Sequence, residues 1–318
     1  MMHYVPLVEV VRSGFVECVH HGALAILAPG GQVLHLRGSI DAPIYPRSTN
    51  KPLQAVGLLR AGYKPADDEH MALATASHEG EPDHVAIVTG MLDGIGATEE
   101  MLQCPPDLPL NEAARARVIH RGEGPRKIYM NCSGKHAAML AACIEQDWPT
   151  ESYLDPAHPL QVHLAATVRE IAEEPEHPSG VDGCGLPIIP VTLTGLARAF
   201  QKLVTATDGT FEHQVTSAIS THPYLMSGTG KPDVILMRTV PGFICKSGAE
   251  GVFAGALPDG TAFAFKFADG HERPRLPLAA AVLHALGAQG ADKLPATPVL
   301  GGGQRVGEVR AATDAVPL

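Results

Sequence analysis

Several short segments of the sequence place nucleophiles and amines at spacings that could do chemistry. Ser48-Thr49-Asn50-Lys51 sets a lysine three residues after a serine. On a helix such positions share a face, so the amine can reach the hydroxyl one turn back. A serine hydroxyl is a weak nucleophile until a base takes its proton, and a lysine desolvated in a pocket becomes that base. The plain alternative is a capping serine with a surface lysine; what favours chemistry is position, because the motif opens a helical segment directly after a β-rich one. Thr75-Ala76-Ser77-His78-Glu79-Gly80 closes another helical segment with polar side chains directed at a site or at solvent. Asn131-Cys132-Ser133-Gly134-Lys135-His136 starts a further helix and puts Cys132, Lys135 and His136 on one face. By spacing alone this is a weak metal signature, since structural zinc usually takes four Cys or His ligands. The glycine-rich turn Asp182-Gly183-Cys184-Gly185 offers a distant partner, and a capped helix with buried thiols accounts for the same residues.

Two lysines sit in strand-like segments. Lys246, in Cys245-Lys246-Ser247-Gly248, resembles the K-T-G strand of β-lactamases and penicillin-binding proteins, whose nucleophile motif is S-x-x-K. Lys266 lies in Phe263-Ala264-Phe265-Lys266-Phe267, where alternation puts the phenylalanines on one face and the lysine among alanines on the other. Lysines most often face solvent, and that remains the alternative for both.

The elements that must position these residues fall in three blocks. Residues 5 to 38 are rich in short β-type apolar runs, with Pro29-Gly30-Gly31-Gln32 as a hairpin turn. From about 48 to 230 the periodicity is helical: Pro52 to Arg60, Ala66 to Ala76, His84 to Leu92, Gly134 to Gln146, a stripe from Leu160 to Ile171, Leu196 to Val204 and His213 to Ile219. From about 233 strands return, with Gly242 to Lys246, Gly251 to Leu257 and Thr261 to Phe267 before a helix over Leu276 to Leu286. Gln304 to Arg310 reads as an edge strand and the last eight residues as a frayed end. The expected fold is α/β: a mostly antiparallel sheet flanked by helices, one domain over residues 1–318, and the resemblance of the S-x-x-K and Lys246 segments to β-lactamase motifs implies that it is serine-β-lactamase-like. Its sheet lobe covers about 1–47 and 232–318, with a helical lobe of about 48–231 inserted.

Composition narrows the class. Apolar residues are 45% and charged residues 18% of the chain, as in a folded soluble protein. A net charge of −10 with no basic stripe argues against nucleic acid as a partner. No stretch of about 18 apolar residues is present, so no membrane span is expected. The N-terminal segment has neither a basic region nor an apolar core of a signal peptide, which leads to an expected cytoplasmic location. There the six scattered cysteines are thiols or ligands rather than a disulfide frame.

Taken in order, these segments resemble the rhizobial-type (class 3) L-asparaginases, the asparaginase II family. The motifs are R-S-x-x-K-P at Arg47 to Pro52, A-S-H at Ala76 to His78, N-C-S-G-K-H at Asn131 to His136, D-G-C-x-L-P at Asp182 to Pro187 and K-x-x-D-G at Lys266 to Gly270. The resemblance spans roughly residues 8 to 285. It implies a homodimer that hydrolyses L-asparagine to L-aspartate and ammonia through two Ser-Lys pairs, Ser48 with Lys51 and Ser77 with Lys266. It also implies a structural or site-shaping zinc on Cys132, Lys135 and Cys184, and His78, His136 and Asp182 facing the substrate, Asp182 toward its α-ammonium. Arg47 suits the α-carboxylate by charge. The resemblance selects Lys266 over Lys246, which stays a rival by analogy to β-lactamases. Other readings of the same constellation are a glutaminase, a β-lactamase or esterase, a zinc hydrolase, or a non-catalytic sensor of this fold.

Overall fold

The structure, a computed structural model, describes residues 2–316. Its strands are β1 (Val5–Arg12), β2 (Phe15–Leu27), β3 (Val33–Arg37), β4 (Gly180–Val181), β5 (Pro187–Ile188), β6 (Ile244–Gly248), β7 (Val252–Ala256), β8 (Ala262–Phe267), β9 (Thr297–Gly301) and β10 (Gln304–Ala311). The α-helices are α1 (Lys51–Arg60), α2 (Asp68–Ala74), α3 (Pro82–Asp93), α4 (Glu112–His120), α5 (Ser133–Glu145) and α6 (Pro159–Ala172). They continue with α7 (Leu193–Val204), α8 (Phe211–Thr221), α9 (Pro223–Met226), α10 (Pro232–Thr239) and α11 (Arg275–Ala285). The class is the α/β one expected, an antiparallel sheet flanked by helices with a helical region inserted between its strands. Two units can be distinguished. One comprises Met1–Thr49, Val191–Thr205 and Ile235–Leu318, the other Asn50–Pro190 and Ala206–Val234.

The first unit is built on one sheet of order β6-β7-β8-β2-β1-β10-β9, with β3 also paired to β2. The phenylalanine alternation in β8 is realised as a stacked aromatic core: Phe253 lies 4.9 Å from Phe265 and 5.9 Å from Phe263, ring centre to ring centre. The helix α7 packs against β7, β8 and β2. Its apolar stripe of Leu193, Leu196, Phe200 and Leu203 is buried. Gln201 on α7 donates through Nε2 to Ala28 O at 2.7 Å and Gly260 O at 2.5 Å, tying the helix to two hairpin turns. The segment 191–205 therefore belongs with the sheet, although its helical periodicity assigns it to the inserted lobe.

Three further details differ from the sequence reading. Residues 232–239 form α10 rather than a strand, since Pro232 occupies a helix start, where its missing N–H costs nothing. The strand β10 is not an edge; β9 pairs outside it through the turn of Gly302 and Gly303, both at positive φ. The tail beyond Ala311 is anchored rather than frayed, with Ala312 N bonded to Leu7 O at 2.9 Å and Ala315 buried. Pro317 and Leu318, part of that expected frayed end, lie outside the described residues.

The second unit is helical. Here α1 packs on α6, α8 and α5, and α2 on α8, α5 and α3. No helix of the described residues is long and apolar enough to cross a membrane. The approach of α5 to α2 requires a glycine: a Cβ on Gly134 would stand 2.5 Å from the carbonyl oxygen of Leu73. Gly134→Ala is therefore expected to lower stability by about 1–3 kcal/mol through overpacking. Urea unfolding of both proteins measures this, and an unchanged midpoint would refute the close-approach argument.

Candidate active site

The centre of the site is the amine of Lys51. Lys51 is the first residue of α1 and is fully buried. Its Nζ lies 2.8 Å from Ser77 Oγ, 3.0 Å from Cys132 Sγ and 2.5 Å from Ala76 O. All four residues belong to the helical unit. Burial pushes the Lys51 pKa down, partly opposed by its contact with Cys132. A charged amine in so dry a place is disfavoured, so the neutral form gains ground.

Ser77 follows α2 in a segment pinned by main-chain bonds. Ala76 N bonds to Leu73 O at 3.1 Å, Ser77 N to Met226 O at 3.0 Å and His78 N to Asn131 O at 3.0 Å. His78 is buried with both ring nitrogens engaged. Nδ1 accepts from Gly80 N at 3.1 Å, which leaves the proton on Nε2, 2.9 Å from Ser133 Oγ. Ser133 passes its own proton to Ile128 O at 2.9 Å. His78 thus straps the Ser77 segment to the start of α5 and has no ring nitrogen to spare for a substrate. Burial, with His84 and Lys51 nearby, holds its pKa well below the usual histidine value.

The start of α5 brings Cys132, Lys135 and His136 onto one face, as their spacing requires. Cys184 reaches them from the Asp182–Leu186 turn between β4 and β5. That turn is closed by Gly185 N to Asp182 O at 2.9 Å and depends on Gly185 at φ 88°. Lys135 Nζ lies 3.6 Å from Cys184 Sγ. The two thiols share a hydrogen bond that stabilises Cys132 as the thiolate and pushes Cys184 up as its thiol donor. Cys132 also gains from the positive helix N-terminus. Burial works against the charge on Lys135, but Cys184, Cys132 and Asp182 outweigh it and hold its pKa above the ordinary lysine value. His136 is buried, with Nδ1 2.8 Å from Tyr153 Oη.

The other expected site residues belong to the sheet unit. Ser48 sits in a 3-10 turn, Arg47–Asn50, that ends where α1 begins. The S-x-x-K motif thus spans a 3-10 turn and the start of α1, and the described contacts of the Lys51 amine are to Ala76, Ser77 and Cys132. Arg47 adopts φ 54°, and its guanidinium is 3.5 Å from Glu250 Oε1. Lys266 donates to Glu250 O at 2.7 Å and Phe267 O at 3.4 Å; burial lowers its pKa, and Glu250 opposes this. Lys246 is buried in β6 with Nζ 3.2 Å from Ser247 O. Each expected pair, Ser48 with Lys51 and Ser77 with Lys266, has one member in each unit. Tyr153, which orients His136, lies in no chemical motif; its only sequence signal is an aromatic residue in a polar loop.

Among the described residues no group of three or more His, Cys, Asp or Glu side chains is arranged for a metal. The set Cys132, Lys135 and Cys184 draws its third donor from lysine. Its one described separation, 3.6 Å from Lys135 Nζ to Cys184 Sγ, matches the roughly 3.6 Å between a nitrogen and a sulfur on one tetrahedral zinc. Lys135 would have to bind as the neutral amine.

The α/β fold thus brings a serine hydroxyl to within 2.8 Å of a buried amine. The sequence carries this to a family: the profile of L-asparaginase II matches residues 8–311, and the chain belongs to that family. No curated protein matches it. Among solved structures it is similar to a β-lactamase from Mycobacterium bovis (17% identity, TM-score 0.45, covering 83% of this chain and 94% of that one). It is also similar to a hydrolase with promiscuous acyltransferase activity (11%, TM-score 0.42, 81% and 91%). A third is a simvastatin synthase mutant from Aspergillus terreus (10%, TM-score 0.41, 77% and 86%).

The buried histidines make stability depend on pH. A histidine kept neutral by the fold takes up a proton near pH 6.5 once unfolded. Below that pH the unfolded state binds more protons, so stability is full above about 6.5 and is lost as pH falls toward the depressed native value. His84 and His136, also lowered by burial, act in the same direction. Replacing His78→Gln should flatten the loss between pH 7 and 5 by up to about 1.4 kcal/mol per pH unit. Denaturant unfolding across that range is the measurement, and an identical slope in the variant would remove His78 from this account.

Proposed function

We propose that this chain is an L-asparaginase in which Lys51 activates Ser77 for attack on the side-chain amide of L-asparagine. The observation that carries the reading is the set of contacts around the Lys51 amine. A neutral amine has two N–H donors and one lone pair. Ala76 O can only accept, and Cys132 accepts when it is the thiolate its surroundings favour; the two N–H groups then go to them and the lone pair faces the Ser77 hydroxyl. That is the arrangement of a general base on its nucleophile.

In this scheme Ser77 Oγ bonds to the amide carbon as its proton passes to Lys51. The carbon–nitrogen bond then breaks and ammonia leaves with that proton. Water attacks the acyl-serine, again through Lys51, releasing aspartate and restoring the Ser77 hydroxyl. Asp182 is suited to the α-ammonium of the substrate by charge. The alternative assignment, with Ser48 as nucleophile, follows from the family resemblance, as does a role for Lys266. A preference for glutamine, one methylene longer, is separated by only about 10–200-fold in such pockets. The homodimer is part of the same proposal, and light scattering on purified protein reads it directly.

Ammonia release from L-asparagine is expected for the wild type and should fall by about 10²–10⁴-fold in Lys51→Met, the usual contribution of a positioned base. Ser77→Ala should abolish the acyl-enzyme seen by intact-mass spectrometry. If Ser77→Ala still acylates and Ser48→Ala does not, the nucleophile is Ser48. If the wild type releases no ammonia, the asparaginase reading fails.

Zinc belongs to the proposal as an ion held by Cys132, Lys135 and Cys184. When bound it supplies fixed positive charge that keeps both sulfurs anionic. The residues themselves would clamp the start of α5 to the Asp182 turn. Elemental analysis should find about one zinc per chain in the wild type and a loss in Cys184→Ser, because three ligands cannot spare one. Equal zinc in both proteins, or none in a wild type purified with zinc, would rule this site out.

A further inference from the structure

Tyr153 is fully buried, and its hydroxyl sits between two partners. It accepts the main-chain N–H of Gln103 at 2.8 Å and lies 2.8 Å from Nδ1 of His136. A phenol has one proton to give. The oxygen already receives the Gln103 proton, so the phenol's own proton finds its acceptor in Nδ1. Were Nδ1 protonated instead, the buried phenol O–H would have no acceptor. Nδ1 is therefore bare and the His136 proton resides on Nε2. This Nε2 is buried and has no hydrogen-bond partner among the described residues. Buried donors are nearly always satisfied, so an unmet one calls for an acceptor from outside the chain, such as a ligand or a water.

The main-chain donors of the Ser77 segment are already used, Ser77 N–H on Met226 O and His78 N–H on Asn131 O, each at 3.0 Å. His136 stands one helical turn from Cys132, whose sulfur touches the Lys51 amine at 3.0 Å. We infer that Tyr153 is a positioning residue that holds His136 as the Nε2–H tautomer, making that N–H a donor to an oxygen of the substrate. This rests on the amidohydrolase reading above, in which the oxygen is the amide carbonyl, negatively charged as Ser77 adds. His136 is then not a base at Nε2, because that nitrogen already carries its proton.

The test combines a spectroscopic and a kinetic arm. Two-bond ¹H–¹⁵N correlation spectra of the full-length protein labelled in histidine report the tautomer, with the His136 signals assigned by their loss in His136→Gln. The wild type should show the Nε2–H form, and Tyr153→Phe, which keeps the ring and removes the hydroxyl, should show a mixture. In ammonia release, Tyr153→Phe should lose about 10–100-fold in kcat, the range for removing the partner that orients a working histidine. His136→Gln, whose amide nitrogen falls near Nε2, should retain more kcat than His136→Asn, whose nitrogen falls near Nδ1. The latter should lose about 10²–10³-fold, as when one oxyanion donor is removed. A purely structural Tyr153 would shift thermal stability without altering the tautomer or separating the two His136 variants.

An Nδ1–H wild type overturns the inference, as does an unaltered tautomer and kcat in Tyr153→Phe, or equal activity in His136→Gln and His136→Asn. If Tyr153→Phe does not fold, the wild-type tautomer and the His136 pair decide. A wild type inert toward L-asparagine overturns the reading of function, and the spectra still decide whether Tyr153 sets the tautomer.

Discussion

The helical unit's site depends on two buried amines whose surroundings push their proton affinities in opposite directions. Lys51 and Lys135 are both buried, yet their pKa values move in opposite directions. Burial depresses each; what differs is the anionic company. Both feel Cys132 and Cys184, but Lys135 has Asp182 in addition, whereas Lys51 is further disfavoured by Lys135 itself. Without a metal, the thiolate is favoured on Cys132, with Cys184 as its thiol donor, and the charged form is favoured at Lys135. A second buried ammonium would carry a large desolvation cost. Burial first, and then the positive charge favoured at Lys135, shift Lys51 toward its neutral form. Pairs of like groups driven apart by environment are how a site obtains an acid and a base from one residue type.

Such a division of charge survives only if the pieces cannot drift. The partners come from residues 51, 76–77, 132–135 and 184, far apart in sequence, and each stretch is fastened by main-chain bonds. The Ser77 segment is held to residues 73, 131 and 226. His78 fixes it again through Ser133, and Glu79, nearly buried, is paired with Lys231 at 2.9 Å. Gly228, at φ 150°, lets its segment lie against Glu79, where a Cβ would meet the Glu79 side chain at 2.3 Å. Functional groups on so constrained a frame hold the sub-ångström placement that proton transfer between serine and amine requires.

Much of this was legible in the sequence, and the failures share a cause. Helical spacing correctly placed Cys132, Lys135 and His136 on one face, because all three lie in the first turn of one helix. For Lys51 the α-helical spacing is interrupted, because Ser48 lies in a 3-10 turn that ends where α1 begins. The serine that does meet Lys51 is 26 residues away, a contact no local pattern carries. Strands with alternating phenylalanines and helices with apolar stripes were readable. The helix α4 was not, since only Ala114 and Val118 on it are buried and it has no continuous apolar face. Its one signal was Asn111, whose side chain caps the helix by accepting from Ala114 N at 2.9 Å. The segment of α7 was seen as a helix but given to the wrong unit, because periodicity reports a buried face and not the surface that buries it.

The sheet unit repeats the theme of a lowered lysine with a different solution. Arg47 and Glu250 both occupy the left-handed region, at φ 54° and φ 59°, a conformation that costs a non-glycine residue of order 1–3 kcal/mol. Polar ties hold them there: the guanidinium of Arg47 lies 3.5 Å from the Glu250 carboxylate, and Lys266 donates to the Glu250 carbonyl at 2.7 Å. The close approach of Gly248 completes the frame, since a Cβ there would stand 2.6 Å from Pro46 O, beside the turn that carries Ser48. Both recorded partners of the Lys266 amine are carbonyl oxygens, which can only accept. As a neutral amine it would spend its two N–H groups on them and keep a lone pair; as an ammonium it would keep one N–H. In either state its third position is uncommitted among the described contacts, and the protonation state alone decides whether that position gives or takes a proton.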